Sequence, residues 1–146
     1  MRRFLIILGL SLLPFPALAS VETILADGAA MCAEQDNGLF SSEGAVRSLD
    51  VTGDGQPETL VDTALFTCTT AASLFGGSGG SMIHVIVGDV QSDYLVQGYE
   101  LLNWGGRTIL LLALHGTNCN GIGADPCFEA LVWNGDRFMS VRAPAE

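Results

Sequence analysis

The chain has 146 residues, of which 49% are hydrophobic, and it sets sixteen acidic residues against six basic ones for a formal charge of −10 at pH 7. That length and apolar content suit one domain with its own core. A surface so acidic repels phosphate backbones and anionic lipid heads, which argues against nucleic acid and membrane surfaces as partners and favours cations or basic proteins.

The first residues read as a unit of their own. Met1-Arg2-Arg3 is a short basic start, residues 4–13 are an apolar run, and Ala17-Leu18-Ala19 is a small-residue cleavage site ahead of Ser20. The apolar run is about half the roughly twenty residues needed to cross a bilayer, so 1–19 is expected to be a secretory signal peptide. Residues 20–146 then form a single β-rich domain. It carries four arginines, no lysine and all sixteen acids, a formal −12.

Residues 21–32 read as a short helix, with Ile24, Leu25, Ala29 and Cys32 along one side. Gly28 in its middle costs about 1 kcal/mol of helix propensity, and Asn37-Gly38 ends the segment. Residues 45–51 read as a strand entering an acidic loop, and 59–67 as the strand leaving it.

The loop between them, Asp50-Val51-Thr52-Gly53-Asp54-Gly55-Gln56-Pro57-Glu58, places oxygen side chains at alternate positions around a glycine pair. Calcium takes roughly six to eight oxygens at about 2.3–2.6 Å, and a short loop presents several only if its backbone turns sharply. Asp50, Thr52, Asp54 and Glu58 are expected to supply side-chain oxygens and Gln56 its carbonyl, with Gly55 permitting the turn. The competing reading is an acidic turn that keeps its shape without metal, since Gly, Asp and Pro are ordinary turn residues.

Residues 70–81 are small and glycine-rich. Gly76-Gly77-Ser78-Gly79-Gly80 matches the letters of a hydrolase nucleophile elbow, but a β-like run follows where that motif needs a helix. Residues 82–87 alternate as a strand, and His84 reads as a half-buried strand residue. Residues 95–104 and 108–115 flank Gly105-Gly106, a two-residue hairpin signal. Pairing Trp104 with Arg107 sets Leu102 opposite Ile109 and Leu101 opposite Leu110. Apolar residues on both faces of 108–115 predict a central strand covered on each side. Residues 128–133 and 137–141 flank a second signal, Asn134-Gly135. The tally is seven strands and one short N-terminal helix, a compact antiparallel sheet or sandwich of mainly β (α+β) class.

Four cysteines lie in the predicted mature part, an even number that in an exported chain favours two disulfides. Of three pairings, Cys32–Cys68 with Cys119–Cys127 is preferred. The second closes a glycine-rich loop and contributes roughly 2.5 kcal/mol by loop entropy, the first roughly 4 kcal/mol. The alternative places His115, Cys119 and Cys127 on a soft metal.

The acidic loop resembles the calcium loops of FG-GAP repeats and, more loosely, those of dockerins and EF-hands. Asp50, Thr52, Asp54 and Gly55 match that pattern, and Glu58 stands where Asp is usual. A strand begins at Thr59 and Val61 occupies the twelfth position, which suits the FG-GAP type over an EF-hand. The resemblance implies an ion site. The layout as a whole resembles small exported proteobacterial proteins of unassigned function. Three readings of function follow. The first is a periplasmic or secreted binding module with one calcium site. The second is a small hydrolase using His115 with loop carboxylates such as Asp125, Glu129 or Asp62, and the third an inhibitor or adaptor whose acidic face docks a basic protein. Convergence of polar groups in a pocket would mark an enzyme, and an exposed apolar or acidic patch an adaptor.

Overall fold

The computed structural model describes residues 16–123 and 125–141. A helix, α1 (Pro16–Ala33), is followed by eleven strands: β1 (Phe40–Ser41), β2 (Val46–Leu49), β3 (Glu58–Asp62), β4 (Thr67–Cys68), β5 (Gly76–Gly77), β6 (Gly80–Val87), β7 (Val90–Val96), β8 (Gly98–Trp104), β9 (Arg107–Leu114), β10 (Cys127–Trp133) and β11 (Phe138–Ser140). All pair antiparallel. The expected class holds, with eleven strands among the described residues in place of seven.

Two sheets stack on a common core. In the first, β2-β3-β6 run side by side, β5 extends the β6 edge, and β7 pairs with β6. The second has the order β11-β10-β9-β8. Strand alternation sends Leu60, Ile83, Val85 and Val96 of the first sheet inward against Leu110, Leu112 and Leu131 of the second. The opposite face of the first sheet is covered by α1 and three phenylalanines. Phe40, Phe66 and Phe75 meet edge to face, with ring centroids 5.0–5.6 Å apart, the arrangement that aligns positive ring edges with negative faces. The order of layers is thus helix, sheet, sheet.

Gly28 finds its reason in this packing. A Cβ there would lie 3.0 Å from the Phe40 ring and 3.1 Å from the Phe66 ring. The helix gives up propensity so that its backbone can press onto the aromatic cluster. α1 begins at Pro16, so it runs across the expected cleavage point, and cleavage after Ala19 would start it at Ser20. Most of the expected signal segment, residues 1–15, lies outside the described residues.

The Gly105-Gly106 hairpin has the expected register, with Trp104 opposite Arg107, Leu102 opposite Ile109 and Leu101 opposite Leu110. β9 is central, between β8 and β10. It is not covered on both faces, however. Leu110 and Leu112 are fully buried, whereas the outer face of the sheet carries Leu111 and Ala113 half-buried beside Phe128, which is 58% exposed. Partial cover comes from side chains of β8 and β10, without another layer among the described residues. Trp133 packs edge-on against Phe138, with centroids 5.1 Å apart, while Trp104 stands in solvent at its hairpin tip.

The expected strand 95–104 is corrected. The chain forms β7 in one sheet, breaks at Gln97, and enters β8 in the other. Residues 59–67 are likewise not one strand. β3 ends at Asp62, whose Oδ1 accepts from the Ala64 N–H at 3.0 Å and caps a 3-10 turn over Thr63–Leu65. The disulfides are Cys32–Cys68 and Cys119–Cys127, the preferred pairing, so neither Cys119 nor Cys127 is left to bind a soft metal. Gly38 passes directly over the first bridge, where a side chain would meet both sulfurs.

Candidate metal loop and ligand cavity

β2 and β3 are joined by the acidic loop, with Leu49 opposite Glu58. One apolar residue anchors the loop: Val51 is buried in the core between the sheets. Gly53 has φ +80° and Gly55 φ +86°, values that favour glycine. At Gly53 a Cβ would also lie 2.8 Å from Thr108 Oγ1, at the start of β9. The turn is therefore seated against the second sheet.

Within the loop the carboxylates order the backbone. Asp50 Oδ1 accepts from the N–H of Gly53 at 2.7 Å and of Asp54 at 3.2 Å, and its Oδ2 from Gly55 at 3.0 Å. Glu58 Oε2 accepts from the N–H of Val51 at 2.8 Å and of Thr52 at 3.2 Å. Asp54 Oδ1 accepts from the Gln56 N–H at 2.8 Å. The result gathers Asp50, Asp54 and Glu58, one carboxylate oxygen from each lying within 4.8 Å of the others. That span is the diameter of a calcium oxygen shell, about twice 2.3–2.6 Å. Asp50 Oδ1 and Glu58 Oε2 each accept two N–H groups. Asp50 Oδ2, Glu58 Oε1 and Asp54 Oδ1 each accept one bond and retain a lone pair, so the three groups can hold an ion while keeping the loop's own bonds. Thr52 lies beside them, its hydroxyl donating to Glu58 Oε1 at 3.2 Å. Gln56 takes part in the loop through its N–H, which donates to Asp54.

His115, Asp125 and Asp62 each have hydrogen-bond partners of their own. His115 Nδ1 is 2.8 Å from Thr117 Oγ1, Asp125 Oδ2 accepts from the Ile122 N–H at 2.8 Å, and Asp62 caps its own turn. No hydrogen bond among the described residues joins His115 to either aspartate. Ser78 sits in the turn between paired strands β5 and β6, so the strand-turn-helix setting of a nucleophile elbow does not arise.

A site that the sequence reading passed over lies between α1 and the outer face of the first sheet. It is a cavity of about 800 Å³. Helix positions 20, 23, 24, 27, 28 and 31, one stripe of α1, form one wall. β6 and β7 form the other. His84 and Asp93 are direct cross-strand partners there, with His84 Nδ1 2.8 Å from Asp93 Oδ1, and Gln91 Nε2 donates to the same oxygen at 2.9 Å. The signal that finds this pair is Gly88-Asp89: as a two-residue hairpin turn it sets Val87 opposite Val90 and hence His84 opposite Asp93.

Two tyrosines lie near the sheet edges. Burial raises the Tyr94 and Tyr99 phenols above their ordinary range, and the nearby carboxylates of Glu129 and Asp62 push in the same direction. The Arg47 guanidinium donates to the Tyr99 hydroxyl at 2.9 Å. The two disulfides suit an oxidising compartment, and no helix among the described residues is long and apolar enough to cross a membrane. The chain matches no protein-family model, no curated protein and no solved structure.

Proposed function

We propose that this protein is an exported binding module, periplasmic or secreted, whose sandwich is pinned by two disulfides and by one calcium ion in the 50–58 loop. The observation that carries the reading is the gathering of Asp50, Asp54 and Glu58 within 4.8 Å on a backbone turned by Gly53 and Gly55. Three carboxylates without a counter-ion repel one another, and a divalent cation removes that repulsion. Thr52 and the Gln56 carbonyl complete the proposed ligand set. Calcium suits the site better than magnesium, which demands a tight octahedron at about 2.0–2.1 Å and holds its waters. The signal-like start and the disulfides support export, and the formal charge of −10 favours a basic macromolecule over nucleic acid or anionic lipid.

Calorimetric melting in calcium, in magnesium and in EDTA tests the ion. At one hundred times its dissociation constant, calcium adds about 2.7 kcal/mol of stability, several degrees for a domain of this size. Asp54→Ala removes one of the three gathered carboxylates, so it abolishes the calcium shift and changes little in EDTA. Equal melting temperatures in all three conditions would show that the loop is only a turn.

A further inference from the structure

The cavity between α1 and the first sheet shares no residue with the acidic loop, and its chemistry is specific. Its apolar walls come from Ile24, Met31, Phe66, Phe75, Met82 and Leu95. Its charged groups are Asp27 from the helix and Asp93 from β7, on opposing walls, with neither Lys nor Arg among the lining residues. Cleavage after Ala19 would add one ammonium at Ser20 on the rim, and two carboxylates would still outnumber it. Asp93 is held in place by His84 and Gln91, both on Oδ1. The carboxylate can accept further donors beyond those two. In the neutral imidazole, an Nδ1–H given to Asp93 leaves Nε2 as an acceptor. Acceptors and negative charge therefore flank an otherwise apolar and aromatic cleft from both walls, and the cleft is of the size that takes small molecules.

We infer that this cavity binds a small amphipathic cation, a primary ammonium joined to an apolar or aromatic body. The ammonium has three N–H donors and no acceptor, which matches carboxylates and the imidazole Nε2. The body packs against the phenylalanine cluster, where ring faces also attract positive charge. A carboxylate ligand meets repulsion, and a neutral alcohol loses the charge-assisted bonds. The inference extends the reading of the protein as a binding module and stands whether or not the loop holds calcium.

Titration calorimetry of the full mature chain with three probes of one shape decides it: 4-phenylbutylammonium, 4-phenylbutanol and 4-phenylbutyrate. The ammonium binds about tenfold more tightly than the alcohol, as a charge-assisted bond requires, and the carboxylate does not bind. Asp93→Asn and Asp27→Asn each erode that preference while leaving the alcohol's affinity unchanged, with circular dichroism confirming that both variants fold. Running each titration in calcium and in EDTA separates this site from the loop, because the probe order is the same in both. Equal affinity for ammonium and alcohol overturns the inference, as does absence of ammonium binding. A preference that survives in both variants overturns it too.

Discussion

Two glycines in the acidic loop have nearly the same backbone angle and different surroundings, and that contrast yields a sharp expectation. Gly53 and Gly55 lie at φ +80° and +86°. An alanine at either position meets the left-handed penalty, about 1–2 kcal/mol, slightly relieved by the lower entropy of its unfolded chain. At Gly55 nothing lies within 4 Å of the added carbon, so Gly55→Ala should cost about 1 kcal/mol and no more. At Gly53 the carbon would lie 2.8 Å from Thr108 Oγ1, 3.1 Å from Thr108 Cβ and 3.2 Å from its nitrogen. Thr108 is buried, and its hydroxyl is tied to Asn103 Oδ1 at 3.2 Å. It has little room to retreat, so overpacking adds about 1–3 kcal/mol. Gly53→Ala should therefore cost about 2–4 kcal/mol. Urea denaturation in EDTA measures both without interference from bound ions. Combining Gly53→Ala with Thr108→Ala removes the nearest atom, so the pair should cost less than the sum of the singles by about 1 kcal/mol. Equal costs for the two glycines, or strictly additive behaviour of the pair, would refute the seating of the loop on β9.

Further expectations follow from the bridges and the phenols. Replacing Cys119 and Cys127 by serine should cost about 2.5 kcal/mol and replacing Cys32 and Cys68 about 4 kcal/mol, since loop length sets the entropy released; urea midpoints in the opposite order would contradict this. The chain holds two tyrosines, so absorbance at alkaline pH reads both, and both should ionise above the ordinary phenol value of 10.0. The folded phenols keep their protons when the unfolded ones have lost them. Stability is thus intact below pH 10 and falls as pH rises toward the folded values. Tyr94→Phe and Tyr99→Phe should each flatten that alkaline fall, and an unchanged slope in both would argue against the burial effect.

Much of this architecture is written locally. Gly105-Gly106 between two alternating runs set a hairpin whose register could be counted residue by residue, because side-chain direction in a strand repeats every two residues. The alternating oxygens of Asp50, Thr52, Asp54 and Glu58 are also a local pattern, and a turn closed by Asp50 and Glu58 brings them together without help from distant residues. Cysteine spacing favoured the pairing that the fold adopts. Gly88-Asp89 is equally local, but the run that follows it has three consecutive polar residues, Gln91-Ser92-Asp93, and so lacks the alternation that marks a strand.

What tertiary structure decided is where those pieces meet. Nothing near Gln97 in the sequence says that the chain changes sheets there, since a break between sheets and a pause within one strand look alike until the partner strands exist. Gly28 reads as a weak point in a helix, and only the arrival of Phe40 and Phe66 beneath it turns the missing side chain into a requirement. Gly53 needs Thr108, fifty-five positions away, to distinguish it from Gly55. The cavity depends most on non-local geometry. Asp27 faces Asp93 only because a helix at one end of the chain lies across a hairpin from its middle. Local pattern specifies direction and turn, whereas such a gap is set by how far apart packed layers are held by side chains that no short stretch of sequence contains.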